Sequence, residues 1–217
     1  MTTAGHEELR AAICAGARSL HAAGLTPGKS GNVSARLGDG LLITPSGLSY
    51  PTMQPEDIVE IDAAGSVRAG RYRPSTELPL HRAIYAARPK VRAIVHTHSP
   101  HATALSCARR GLPAFHYMIA VAGGCEVRCA DYATFGSEQL ATHTLRALDD
   151  RKAALLANHG VVSLGENIEE ALSIATEIEN LARQYLLLLA ARLEPVVLDA
   201  AEMQRVRAQF ADYGRTR

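Results

Sequence analysis

A short apolar run, Val91 to Val95 with only Arg92 interrupting, ends in His96-Thr97-His98. In an extended strand, residues two apart share a face, so both imidazoles project together. Two neutral imidazoles on one face make half of a divalent metal site, most often zinc. A chain built this way must bring further donors to the end of that strand, unless the pair is merely solvated or packed. Glu77 is one candidate, in Ser75-Thr76-Glu77 ahead of a helical pattern. His159 is another, in Ala157-Asn158-His159-Gly160, a turn after the apolar run 153–156. Three histidines and one carboxylate fill a tetrahedral site. His101 is an alternative third ligand from the same segment. His159 is preferred, because a strand end is the more open position.

The 217 residues fit one α/β or α+β domain, residues 1–217, large enough for a sizeable core. A net charge of +1 and the lack of a basic run interleaved with aromatics weigh against nucleic acid as a partner. Residues 1–10 are polar, and the apolar run 186–191 is far shorter than the ~20 residues of a membrane span. The expectation is a soluble cytoplasmic protein with no membrane partner. Cys14, Cys107, Cys125 and Cys129 are too few for a disulfide framework in a chain of this length. Cys125 and Cys129 could form half a zinc site, but no second pair accompanies them, so all four read as reduced and structural.

Residues 6–23 carry apolar positions at helical spacing, with Gly24 at the stop. The loop Gly28-Lys29-Ser30-Gly31-Asn32-Val33-Ser34 leads into a strand over 33–36. Its small residues expose backbone N–H groups, which suits an anion or a tight turn, and it lacks the Walker spacing. A strand at 41–43 ends in a second hydroxyl-and-glycine turn, Thr44-Pro45-Ser46-Gly47. Asp62-Ala63-Ala64-Gly65 marks a hairpin. Ser75 or Thr76 is expected to cap a helix running to about Ala87, with Pro79 tolerated in its first turn. Glu77 there is either an acidic residue complementing the helix dipole or a ligand and base beside a phosphate site. Further helices are expected over 100–108, 139–148, 167–189 and about 201–210, with strands at 151–156 and 161–163. Tyr117 is either a packed core residue or a phenolic proton donor.

Together, a carboxylate, three histidines, two hydroxyl-rich glycine turns and a helix N-terminus suit a divalent metal beside a phosphate. That pairing fits a small phosphorylated ketose, with Lewis-acid polarisation at one end and binding energy at the other. No lysine stands in an apolar context that favours Schiff-base chemistry.

Five motifs, in order and spacing, resemble the class II aldolase/adducin family: Gly31-Asn32-Val33-Ser34, Leu42-Ile43-Thr44-Pro45-Ser46-Gly47, Pro74-Ser75-Thr76-Glu77, Val95-His96-Thr97-His98 and Asn158-His159-Gly160. The stretches 113–120 and 132–136 and the tail Tyr213-Gly214 resemble the branch acting on L-fuculose 1-phosphate. The resemblance implies an α/β/α sandwich around a mostly antiparallel sheet, and a homotetramer with sites at subunit interfaces. It implies one Zn2+ per subunit on His96, His98 and His159, with Glu77 as acid/base and as a fourth ligand when substrate is absent. It further implies that Gly31, Asn32, Ser46, Gly47, Ser75 and Thr76 hold the phosphate. Tyr117 would serve the aldehyde-side oxygen, and Tyr213 would help close the site. The implied reaction is reversible cleavage of L-fuculose 1-phosphate to dihydroxyacetone phosphate and L-lactaldehyde.

Thr97 between the histidines, and Leu48-Ser49-Tyr50-Pro51 after Gly47, depart from that branch; Ser46 and Thr76 keep the hydroxyl. Another deoxyketose 1-phosphate, such as 5-deoxyribulose 1-phosphate, is the nearest alternative substrate. A ribulose-phosphate 4-epimerase is disfavoured by Glu at position 77, where that branch resembles Asp. A methylthioribulose-phosphate dehydratase is disfavoured by Tyr117 and its surroundings. A non-catalytic adducin-like binding module is disfavoured by the four retained metal-site residues.

Overall fold

The computed structural model describes residues 3–212. Eight strands form one sheet: β1 Asn32–Leu37, β2 Gly40–Ile43, β3 Val59–Ile61, β4 Val67–Ala69, β5 Ala93–Thr97, β6 Cys129–Ala130, β7 Ala153–Leu156 and β8 Gly160–Gly165. Around it lie α1 Thr3–Ala22, α2 Leu78–Ala87, α3 Pro100–Cys107, α4 Glu138–Ala147, α5 Ile168–Ala190 and α6 Ala200–Asp212. The strand order is β4-β3-β2-β1-β5-β8-β7-β6. Every neighbouring pair is antiparallel except β6 with β7. This is the expected mixed α/β fold, a single sheet with helices around it.

Alternation along the strands builds the layers. Leu41, Ile43, Ile94, Leu156, Val162 and Leu164 point to one face and pack with Leu80 and Ile84 of α2 and Ala141 and Ala147 of α4. Val33, Ala35, Leu42, Ala93 and Val95 point to the other, against Ile13 and Leu20 of α1 and Ala171 and Ala175 of α5. Leu155 and Val161 share that second face with α3 and α5. Leu42, Ile43, Ile61, Leu80 and Ile94 are fully buried. Each such side chain contributes roughly 1.5–3 kcal/mol before entropy is counted.

Three local expectations change. Neither Ser75 nor Thr76 caps α2 with its side chain. Glu77 itself is the N-cap residue, with Pro79 in the first turn. The strand expected from residue 151 starts at Ala153, because Arg151 N–H closes a turn onto Leu148 O. The two-residue β6 was absent from the expectation, being too short for any periodic signal. All four cysteines are free. Among the described residues, no helix is long and apolar enough to cross a membrane.

Candidate functional site

The site grows from the end of β5. His96 lies directly across from Asn32 in the β1–β5 ladder and from Val162 in the β5–β8 ladder. Its ring is fully buried, and Nδ1–H donates to Val161 O over 3.0 Å. That bond fixes the ring and turns Nε2 toward the site. His98, just past the strand, brings its Nε2 within 3.0 Å of His96 Nε2. The β7–β8 hairpin supplies His159. Asn158 takes a left-handed conformation (φ 55°), its N–H donates to Ser106 O, and His159 N–H reaches Ser106 Oγ. The three rings stand edge to face, with centroids 4.8–4.9 Å apart.

Two glycines permit this crowding. A Cβ on Gly31 (φ 81°) would lie 2.7 Å from His96 O, and one on Gly160 would lie 2.3 Å from Thr97 O. Any side chain at either position would push the ligand-bearing strands apart.

Glu77 faces the rings from the start of α2. Its Oε2 lies 2.9 Å from His96 Nε2, and its Oε1 lies 3.3 Å from His159 Nε2. Four donors, each about 2.0–2.1 Å from a shared tetrahedral centre, would stand roughly 3.3 Å apart. His98 Nε2 and the nearer Glu77 oxygen stand at such spacings from His96 Nε2, and the ligating atoms of the three histidines all lie within 4.8 Å of one another. Glu77 Oε1 is buried and accepts no hydrogen bond, which is costly for a carboxylate unless something else meets it. Among the described residues, His96, His98 and His159 form the one group of at least three metal-ligating side chains placed to hold an ion. His101 is not in it: its Nδ1 pairs with Glu179 of α5 at 2.6 Å.

Electrostatics agree with this role. Burial alone would raise the Glu77 carboxyl, but His96, then His159 and Asn32, hold it well below the ordinary range. Burial, aided by His96, lowers His98 and His159 to about 4. Both stay neutral at physiological pH, the form in which imidazole ligates. Burial would also lower His96, but the Glu77 charge outweighs it and raises that pKa.

A cavity of about 350 Å³ opens beside this cluster. Gly31, Asn32, Ser46, Gly47, Ser75 and Thr76, the residues that the resemblance assigns to the phosphate, all line it. The Thr44–Gly47 turn is tied to the stretch that leads into α2: Ser75 N–H donates to Thr44 O and Ser46 N–H to Arg73 O. Glu77 N–H donates to Ser75 Oγ. The N-terminal end of α2, with its positive dipole, faces the same space and suits an anion. The Asn32 side chain is more committed than the sequence suggested. Its Nδ2 donates to Glu77 Oε2 (2.9 Å), and its Oδ1 accepts from His81 Nε2 (2.5 Å).

Reasoning from sequence missed Lys29, Tyr132 and Phe135 as lining residues, and His81 beneath the site. Lys29 could have been found as the one cation in the glycine loop, and His81 by its i+4 spacing from Glu77. Tyr117 does not line the cavity. It is half-exposed on a short 3-10 helix, Tyr117–Ala122, stacked between His116 and Phe210 with centroids at 4.8 and 6.3 Å. Tyr213 falls outside the described residues.

Comparison with known proteins agrees with this geometry. The family model described as the Class II Aldolase and Adducin N-terminal domain matches residues 11–186. The chain is 48% identical over 206 residues to a 5-methylthioribulose-1-phosphate/5-deoxyribulose-1-phosphate aldolase of Rhodospirillum rubrum, covering 95% of this chain and 92% of that one. It is 46% identical over 191 residues to the L-fuculose phosphate aldolase of Escherichia coli, covering 88% of each. A solved L-fuculose 1-phosphate aldolase superposes with a TM-score of 0.90 at 38% identity, over 94% of this chain and 96% of the other. The chain belongs to the class II aldolase/adducin family.

Proposed function

From that membership, we propose that the protein, working as one domain over residues 1–217, reversibly cleaves a ketose 1-phosphate to dihydroxyacetone phosphate and a short aldehyde. L-fuculose 1-phosphate, yielding L-lactaldehyde, is the substrate put forward first. One observation carries the reading: three imidazoles and the Glu77 carboxylate converge beside a cavity whose other side is hydroxyls, glycines and a helix N-terminus.

A zinc ion held by His96, His98 and His159, and by Glu77 before substrate arrives, would supply Lewis-acid polarisation of the ketose carbonyl and its neighbouring hydroxyl. The chain does the rest. Ser46, Ser75 and Thr76 hydroxyls, the backbone at Gly31 and Gly47, and the α2 N-terminus bind and orient the phosphate. Asn32 has one N–H left for substrate once Glu77 is served. Glu77 Oε1, the oxygen without a hydrogen bond, moves the proton at the carbon of the triose fragment. The Tyr117 phenol moves the proton at the aldehyde-side oxygen. Because Tyr117 is off the cavity of its own chain, it reaches a site only from a second copy, as the homotetramer implied by the resemblance would allow. Tyr213 is read as part of the same closing wall.

A second reading concerns the aldehyde half alone. The relative at 48% identity is named for 5-methylthioribulose and 5-deoxyribulose 1-phosphates. The exposed rings of Tyr132 and Phe135 at the cavity offer apolar surface to an aldehyde lacking a hydroxyl. A coupled assay for dihydroxyacetone phosphate, run on L-fuculose 1-phosphate, 5-deoxyribulose 1-phosphate and 5-methylthioribulose 1-phosphate with and without a chelator, tests both. Chelator-sensitive cleavage supports the aldolase, and the highest kcat/KM names the sugar. No triose phosphate from zinc-loaded protein overturns the proposal.

A further inference from the structure

Beneath Glu77, two periodicities interlock. Glu77, His81 and Tyr85 are four apart, at the cap and on one stripe of α2. Asn32 and Ser34 are two apart, on the face of β1 turned to that stripe. Their side chains alternate in a buried zigzag. Asn32 bonds to Glu77 and His81, His81 Nδ1 lies 2.6 Å from Ser34 Oγ, and Ser34 Oγ lies 2.9 Å from Tyr85 OH. Arg36, next on the same face of β1, closes the far end over the Tyr85 ring at 4.7 Å. His81 and Ser34 are fully buried.

Donor and acceptor logic leaves this chain one direction. An ionised Glu77 only accepts, so Asn32 must turn Nδ2 toward it and Oδ1 away. Asn32 Oδ1 only accepts, so His81 must carry its proton on Nε2. His81 Nδ1 is then an acceptor, so Ser34 donates to it and in turn accepts from the Tyr85 phenol. Every donor of the zigzag points toward Glu77 Oε2, and Oε1 is left without a hydrogen bond, facing His159.

Resting on the reading of Glu77 as proton carrier, we propose that His81 is a positioning residue for it. By holding the Asn32 amide with Nδ2 toward Oε2, His81 fixes the carboxylate and reserves Oε1 for the reaction. With His81 gone, the amide is free to turn, and its oxygen would then confront the carboxylate. Burial keeps the His81 ring neutral, with a pKa lowered to about 3, consistent with one proton on the ring.

The test compares wild type, His81→Leu and His81→Gln. Leu removes the donor at similar volume, and Gln carries an N–H to about the position of Nε2. Zinc-loaded proteins are assayed for sugar-phosphate cleavage and for proton exchange of dihydroxyacetone phosphate in D2O. Metal-free 15N-labelled proteins report the His81 tautomer and the Asn32 side-chain amide. His81→Leu is expected to lower kcat about tenfold to a hundredfold, with KM and bound zinc little changed, and His81→Gln to restore most of kcat. NMR should show the Nε2–H tautomer in wild type. It should also show Asn32 side-chain amide shifts displaced from random-coil values, a displacement that survives in Gln and is lost in Leu. Wild-type kcat in His81→Leu, equal losses in both variants that track thermal stability, or an Nδ1–H tautomer would each overturn the proposal. Wild-type protein that neither exchanges nor cleaves overturns the aldolase reading and this one with it; active wild type confines any failure to His81.

Discussion

The side of the site proposed to hold metal and phosphate and the side proposed to meet the aldehyde are built in different ways. On the first, His96, His98, His159, Glu77 and both hydroxyl turns come together within one chain. They are held there by strand pairing, the Ser106 contacts and the buried zigzag below Glu77. On the second, Tyr132 and Phe135 stand exposed, and Tyr117 is parked between His116 and Phe210 away from the cavity. Groups that must meet within a few tenths of an ångström are carried by the sheet and the start of α2. Groups proposed to meet the variable part of a substrate are carried by surface segments. Function-bearing side chains on a rigid frame gain precision, whereas loops gain latitude.

Substitutions on the two sides should therefore differ in size and kind. Glu77→Gln is expected to have the largest effect, lowering turnover by about 10²- to 10⁴-fold. Binding of inorganic phosphate, followed by calorimetry, should change little; undiminished turnover would remove Glu77 from the chemistry. Tyr117→Phe should cost about a hundredfold, at the lower end of the range for a lost proton donor. If Tyr117 acts from a second copy, mixing Glu77→Gln and Tyr117→Phe proteins under exchange conditions should raise activity above the sum of the two variants alone. No recovery in verified hybrids would place the two residues in one chain's site.

An acid titration sharpens the contrast through stability. His81, His98 and His159 have folded pKa values of about 3, 4 and 4 against an ordinary 6.5. A lowered value means that the unfolded chain binds protons first. Their contribution is thus complete above pH 6.5 and is lost as pH falls toward 4. His96, raised by Glu77 over the opposing effect of burial, contributes in the opposite direction. The metal-free protein should show a falling Tm from pH 6.5 to 4, and a flat profile there would contradict the burial of these rings. The smallest effect is expected from ending the chain after Gln209. That change removes Phe210 from its stack on Tyr117 and should slow cleavage severalfold without unfolding, as checked by circular dichroism. Full activity would remove the tail from the closing wall.

What the sequence revealed followed from short-range rules. An apolar run ending in His-x-His announces a strand with two ligands on one face. Asn167 caps α5 through its side chain, as its place before an apolar helical stripe requires. What stayed hidden depended on partners far along the chain. Ser75 and Thr76 both looked like the cap of α2, yet Ser75 Oγ accepts Glu77 N–H and Glu77 itself takes the N-cap position. Asn32 looked free for phosphate, but 49 residues on lies the His81 that holds its amide. His81 was passed over because a helical pattern read by apolar spacing gives a polar residue on the buried stripe no weight. Tyr117 was assigned through resemblance alone. Nothing in the residues near it could show that it faces away from its own chain's cavity.

Tyr132 and Phe135 lie outside all three apolar clusters of the core, and that has a consequence over longer times. Changes there do not disturb the packing on which folding depends, so such positions can drift with little penalty in stability. On the proposed function, the chemistry of carbon–carbon cleavage would be locked into the scaffold, whereas the identity of the aldehyde would be written in an editable margin. Relatives sharing nearly half their residues with this chain yet named for different sugars are what such an arrangement would leave behind. A laboratory search for new aldehydes would begin at this same rim.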